Sequence, residues 1–327
     1  MVLSVSQKKP LWLVPVGILC CLLLTFSWIG CSGSEDGSLV ESDAVFAGSG
    51  PIKIVCTTGM VADMVAAVGG EHVEVTRMMG EGVDPHVYEP TLADNTSLRR
   101  SDMVFYNGLH LEPGMHDVFV VMSKKKPIYA VGDYLKASVS EKLIDTEGEY
   151  FDPHVWFDPE LWAACVPGVV ASLSKFDSKH ANDYKKNGDE YQSKIQELTA
   201  YGRTKIAGLS EPRFLVTAHD AFSYFGRAFD IKVEAIQGIS TQSEASTNRL
   251  NDLVGLIVEN KVKAVFAESS INSKTIKALI EGCENQKHQV KLGGELYSDA
   301  LGPEDSDAGE YLGMVRHNID TIVEALK

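Results

Sequence analysis

The sequence predicts an α/β protein of two lobes, each made of parallel-sheet βαβ units, joined by one long rigid helix. Three observations lead there. The chain has 327 residues, enough for two domains at about 100–200 residues each. From residue 51 onward, short β-branched runs alternate with helical patterns, which is how βαβ units read in sequence. Between two such series lies a proline-free stretch, Ala181 to Leu209, rich in Lys, Glu and Gln.

The first series opens with a strand at Ile52 to Thr57. A helix at Val61 to Val68 closes on Gly69-Gly70, and strands follow at Val73 to Met78 and Met103 to Tyr106. The long stretch carries Tyr184, Tyr191, Ile195 and Leu198 at spacings of 3–7, which puts them on one face of a helix. Its 29 residues reach about 44 Å if continuous. Gly188 and Gly202 interrupt its length, with no Gly, Ser or Pro cluster, so it reads as a rigid crossover that limits hinge motion. The second series has strands at Phe214 to Val216, Ile231 to Ile236 and Ala264 to Ala267. Its helices are Phe222 to Phe229, Leu250 to Val258 and Thr275 to Gly282, and the chain closes with Tyr311 to Leu326. The expected domains are therefore residues 51–180, a linking helix 181–210, and residues 211–327.

The N-terminus reads as an export signal. Lys8 and Lys9 precede an apolar run from Leu11 to Ile29, followed by Gly30, Cys31 and the polar string Ser32-Gly33-Ser34-Glu35-Asp36. That is a charged region, an apolar region and a small-residue exit. Gly before Cys resembles a bacterial lipobox, with Trp28 where Leu is usual. Lipidation at Cys31 would make residues 1–30 a removed lipoprotein signal peptide and residues 31–50, rich in Gly, Ser, Asp and Glu, a flexible tether. An uncleaved anchor helix and simple cleavage are the alternatives. All three place the body outside the cytoplasm.

Composition narrows the class further. Hydrophobic residues are 44% and charged residues 23%, which excludes a disordered, collagen-like or multi-span membrane chain. The net charge of −15 supplies no basic face for nucleic acid. Beyond the export segment only Cys56, Cys165 and Cys283 remain, too few and too scattered for a disulfide framework or thiolate cluster.

Three of the nine histidines stand in unusual settings. His86 lies in Asp84-Pro85-His86, and Pro90 follows. His154 lies in Asp152-Pro153-His154, and Pro159 follows. His219 comes directly after the strand at Phe214 to Val216. Proline fixes φ and lacks a donor, so the two Asp-Pro-His segments are stiff loops that hold an imidazole at low entropic cost. His219 sits at the carboxyl end of a parallel strand, where α/β sheets bind ligands. The other six (His72, His110, His116, His180, His288 and His317) share no such context. A fourth ligand would complete a tetrahedral zinc site. Asp299, in Gly293-Gly294-Glu295-Leu296-Tyr297-Ser298-Asp299-Ala300, is the candidate. Glu268 is either a competing carboxylate or a group that orients an imidazole.

Together, Asp-Pro-His with Glu-Pro, the segment around His154, Thr217-Ala-His-Asp-Ala-Phe-Ser-Tyr-Phe225 and Gly293-Gly-Glu-Leu-Tyr-Ser-Asp-Ala300 resemble the TroA/ZnuA-type metal-binding proteins. These are extracytoplasmic solute-binding components of ABC transporters for zinc and manganese. Asn107-Gly108-Leu109, Gly313-Met314-Val315 and His317-Asn318 extend the resemblance over about residues 51–327. It implies that His86 and His154 are ligands from the first lobe and His219 and Asp299 from the second, with the metal in the interlobe cleft.

The resemblance also bears on the metal. Many zinc-specific members carry a His-rich acidic loop before the His154 motif, and Ala137 to Phe151 contains no His. Manganese-specific members often have Glu where this chain has His219. An imidazole-rich site favours zinc, and the Irving–Williams order agrees, with manganese the alternative where supply decides. The expected function is capture of Zn2+ or Mn2+ and delivery to an ABC permease and its ATPase, by a lipid-anchored monomer that is not an enzyme. A surface adhesin and a metallohydrolase are the competing readings. The second finds neither a His-Glu-x-x-His motif nor a nucleophile elbow here.

Overall fold

The computed structural model describes residues 44–146 and 150–327. The expected signal peptide, Cys31 and the first part of the tether lie outside them. The end of the tether is anchored: Phe46 N–H donates to the Phe176 carbonyl at 2.7 Å, and the two rings meet at 5.7 Å.

The first half runs β1 (Ile52–Cys56), α1 (Gly59–Gly69), β2 (Val73–Arg77), α2 (Leu92–Arg100), β3 (Met103–Tyr106), α3 (His116–Ser123), β4 (Ile128–Ala130) and α4 (Asp133–Ser138). Its four strands are parallel, in the order β2-β1-β3-β4. β1 reads Ile-Lys-Ile-Val-Cys with only Lys53 exposed, the near-continuous burial expected of a central parallel strand. Thr58 caps α1 by accepting from Val61 N–H, and Thr91 forms a capping box with Asp94 at α2, each satisfying otherwise orphaned amides.

α5 (Pro159–Phe176) follows, a helix with Pro167-Gly168 in its middle. Burial overrides that local breaker. Leu161, Trp162, Cys165, Val166, Val169, Leu173 and Phe176 form one buried face. Gly168 is small because the Tyr134 ring rests on it; a Cβ there would stand 2.8 Å from Tyr134 Cγ.

α6 (Ala181–Ala207) has 27 residues and spans about 40 Å. Its buried residues are Tyr184, Gly188, Tyr191, Ile195, Leu198, Thr199, Gly202 and Ile206, the helical stripe that the sequence predicts. Its two glycines are points of close approach rather than interruptions. A Cβ on Gly202 would lie 2.4 Å from Phe229 Cε1.

The second half runs β5 (Phe214–Thr217), α7 (Ser223–Phe229), β6 (Lys232–Ala235), α8 (Thr247–Glu259), β7 (Ala264–Glu268), α9 (Lys274–Asn285), β8 (Lys291–Leu296) and α10 (Tyr311–Leu326). β5 pairs β6 and β7 pairs β8, both in parallel, and β5 lies beside β7. α6 packs on α1 and α5 from the first half and on α7 and α10 from the second.

The halves do not have separate main cores. One apolar cluster contains Ile54, Phe105 and Trp162 together with Phe225, Phe266, Tyr311 and Ile319. Residues 152–158 stitch the seam. Phe157 stacks on Phe222 at 4.3 Å. Trp156 Nε1 donates to the Ser298 carbonyl at 3.1 Å, and Tyr311 donates to the Trp156 carbonyl at 2.8 Å. A core this continuous resists rotation of one half against the other, because opening would expose close-packed apolar surface.

Candidate metal centre

The two Asp-Pro-His segments fold alike for a local reason. Each Asp side chain accepts the backbone N–H of the His two residues on: Asp84 Oδ1 from His86 at 2.9 Å, and Asp152 Oδ1 from His154 at 3.0 Å. This Asx-type turn, stiffened by the intervening proline, fixes where each imidazole starts. His219 lies two residues past the end of β5, and Asp299 lies in the loop after β8.

The fold brings the four predicted side chains together. His86, His154, His219 and Asp299 are 3%, 0%, 0% and 2% exposed, and one ligand-capable atom from each lies within 4.8 Å of the others. His86 Nε2 is 3.2 Å from His154 Nε2. His154 Nε2 is 3.4 Å from Asp299 Oδ1, and His219 Nε2 is 3.2 Å from Asp299 Oδ2. Donors at 2.0–2.1 Å from one tetrahedral ion stand about 3.3 Å apart, so these separations fit a shared ion. Two fully buried atoms, His219 Nε2 and Asp299 Oδ1, have no hydrogen-bond partner. Orphaned buried polar atoms are costly, and a cation between them would satisfy both. Three imidazoles with one carboxylate suit zinc and its first-row neighbours.

Glu268 stands behind His219 and outside the group of four. Its carboxylate accepts from His219 N–H at 2.9 Å and pairs with His219 Nδ1 at 2.5 Å. Asp152 does the same for His154, pairing with Nδ1 at 2.7 Å. In both rings the carboxylate holds Nδ1 and leaves Nε2 pointing inward, which fixes the tautomer and raises ligand basicity. Asp220 faces away and accepts from Ser223 Oγ at 2.7 Å.

Charge is divided unevenly among the imidazoles. Burial dominates at His86, and its pKa is lowered to about 3, so the ring is neutral. Burial also opposes charge on His154, yet Asp152 and then Asp299 outweigh it and raise the ring to about 9. His219 is likewise raised well above its ordinary value, with Glu268 and Asp299 overcoming burial. Burial would raise Asp299, but His219 and His154 hold it well below the usual carboxylate range. Without an ion, protons on His154 and His219 thus offset part of the carboxylate charge at the centre. His86 Nε2 is then free to accept from the His154 imidazolium.

The six remaining histidines have other partners or lie at the surface. His72 stacks on His180 at 3.8 Å, His110 stacks on Tyr150 at 4.2 Å, and His288 and His317 face backbone carbonyls. His116 is exposed. Cys31 lies outside the described residues.

Sequence reasoning missed several supporting groups. Asp152 was legible, since it stands in the repeated motif. Glu112 was not. It is buried and accepts from Thr57 Oγ1 at 2.7 Å, Asn107 N–H at 2.8 Å and Gly108 N–H at 3.3 Å. It holds a turn in which Gly108, Leu109 and His110 have φ of 77°, 52° and 67°, a strained run for the two non-glycine residues. From that turn Asn107 Nδ2 donates to the Pro153 carbonyl at 3.0 Å, next to His154.

Parallel sheets braced by one long helix, with three imidazoles and a carboxylate converging between the halves, define a metal-binding protein of the periplasmic solute-binding class. The chain belongs to the ZnuA family, the periplasmic component A of the zinc-uptake complex, whose model matches residues 54–325. It is 42% identical over 308 residues to the manganese-binding lipoprotein MntA of Bacillus subtilis, covering 94% of this chain and 97% of that one. It is 43% identical over 281 residues to the zinc-binding protein TroA of Treponema pallidum, covering 86% and 90%. The solved structure of that periplasmic protein superposes with a TM-score of 0.81 over 85% of this chain and 99% of its own.

Proposed function

We propose that the protein captures one divalent transition-metal ion outside the cytoplasm, zinc before manganese, and delivers it to an ABC permease driven by its ATPase. His86, His154, His219 and Asp299 are the ligands. The observation that carries this reading is the buried convergence of their donor atoms, two of which have no hydrogen-bond partner outside the four.

The ion is cargo in this reading. It enters as His154 and His219 give up their protons, so binding and proton release are one process. Two ligands come from each side of the seam, and the bound ion ties residues 51–180 to residues 211–327 across the α6 brace. A hydrolytic role would need a carboxylate aimed at an ion-bound water. The nearest candidates, Asp152 and Glu268, are instead committed to imidazole Nδ1 atoms. The relatives named as lipoproteins and the Gly30-Cys31 motif support a chain tethered by lipid at Cys31, which we take to act as a monomer.

Calorimetric titration of the metal-stripped chain with zinc and manganese, beside His219→Ala, tests the assignment. One tight site weakened at least 100-fold by the substitution is expected. A chelator should strip the ion and leave a folded protein. The absence of a saturable site for either ion would overturn the reading, and unfolding on chelation would make the site structural.

A further inference from the structure

We infer that Thr241 and Gln242 are positioning residues for His86, and that the ion leaves through the His86 segment when their clamp opens. The inference rests on the metal-capture reading and adds a route and a rate-setting contact to it.

Three observations converge. The first is an asymmetry among the imidazoles. His154 and His219 are each gripped twice by a carboxylate, at the backbone amide and at ring Nδ1. Asp84 grips His86 only at the amide, at 2.9 Å. Among the described residues no carboxylate pairs with the Nδ1 of His86.

The second observation is where the missing hold comes from. The loop between β6 and α8 reaches across from the second half. Thr241 Oγ1 donates to Asp84 Oδ2 at 2.6 Å, and Gln242 Nε2 donates to the His86 carbonyl at 2.9 Å. The Asp84 oxygen that corresponds to a ring hold in a second-half partner is thus spent on a hydroxyl from across the seam. His86 is positioned by a clamp on its backbone rather than on its ring.

The third observation is exposure. The segments around His154, His219 and Asp299 are buried: Val155, Trp156, Ala218, Ser298 and Ala300 are all 3% exposed or less. Val87, next to His86, is 53% exposed, and Gln242 is exposed. With the halves sharing one core, the least costly opening is local. It breaks two hydrogen bonds that water can replace and swings out the one imidazole whose chain neighbour, Val87, is already exposed.

The test compares wild type with the double variant Thr241→Val, Gln242→Ala and with Thr241→Ser, each as the intact chain. Release of zinc to excess chelator is followed by stopped flow. Hydrogen exchange at residues 84–90 and 152–158 is followed in the metal-free protein. The double variant should release zinc about tenfold faster or more, from the loss of a hydroxyl–carboxylate bond and an amide bond. Its melting temperature should be nearly unchanged, exchange should quicken at 84–90 and not at 152–158, and Thr241→Ser, which keeps the hydroxyl, should keep the wild-type rate. Unchanged release and unchanged exchange would overturn the clamp. Faster exchange in both segments, with a lowered melting temperature, would also overturn it and leave only a structural role. If wild type binds no zinc, the capture reading fails separately, and exchange in the metal-free protein still decides whether Thr241 and Gln242 position His86.

Discussion

Glu268 holds His219 at two points across 49 residues of sequence, the backbone amide at 2.9 Å and ring Nδ1 at 2.5 Å. The contact joins the end of β7 to the second residue past β5. It settles which ring nitrogen faces the centre, because an Nδ1 engaged with a carboxylate leaves only Nε2 to bind an ion.

Glu268→Gln should therefore lower zinc affinity by about 10–100-fold, the usual cost of losing a carboxylate behind a ligating imidazole. The amide keeps the backbone contact and removes the charge that raises ring basicity. Titration calorimetry gives the ratio. A variant that binds as tightly as wild type would show that Glu268 does no more than shape the loop.

Affinity should rise with pH up to about 9. Burial works against charge on His154, but Asp152 and Asp299 raise the metal-free ring to about 9. His219 is raised in the same direction. Below that pH the ion must displace protons, so each falling pH unit weakens binding, by up to about tenfold per proton displaced. His86, lowered to about 3 by burial, contributes no proton near neutrality. Calorimetry in buffers of different ionisation enthalpy at pH 7 should report about two protons released per ion. Zero protons released would contradict this charge arrangement.

Glu112 should make folding stability fall with rising pH. Burial raises its carboxyl from 4.5 to about 7, against the opposing hydrogen bonds from Thr57, Asn107 and Gly108. The folded value lies above the unfolded one, so the contribution is complete below pH 4.5 and lost as pH rises through about 7. The displacement corresponds to roughly 3 kcal/mol at the upper end. The difference in denaturant midpoint between wild type and Glu112→Gln should accordingly change between pH 4.5 and 7.5, with wild type losing ground. A pH-independent difference would remove Glu112 as the source.

Two glycine substitutions should move stability in opposite directions. In a helix, alanine gains up to about 1 kcal/mol over glycine. Gly255 in α8 has nothing within 4 Å of an added Cβ, so Gly255→Ala should stabilise. Gly202 in α6 would place that Cβ 2.4 Å from Phe229 Cε1 and 2.8 Å from Ile319 Cδ1. Overpacking of about 1–3 kcal/mol then outweighs the propensity gain. Urea denaturation of both variants decides it, and equal shifts would mean that α6 does not press on α7 and α10 as described.

How much of this was legible differs from element to element. α6 and α10 read directly from apolar spacing, because a long amphipathic helix repeats one physical rule many times. β3 read directly because four apolar residues are bounded by polar ones. α5 did not, since Pro167-Gly168 is a local breaker and its rescue comes from Tyr134 and the sheet, distant in sequence. The short strand β4 carries too little pattern to stand out from the turns beside it.

The sequence by itself determined the chemistry available: two Asp-Pro-His turns, a histidine after a strand, and an acidic, cysteine-poor body. Those features are local, and proline, aspartate and imidazole act within a few residues of themselves. The tertiary structure brings Asp299, the candidate the sequence offered, into the centre, and only it puts Glu268 behind His219, since that depends on which face of the ring a distant loop reaches. It also decided the protonation of each imidazole and the hold of Thr241 on Asp84, because burial and charge are set by neighbours that the fold, not the chain order, brings within 3 to 4 Å.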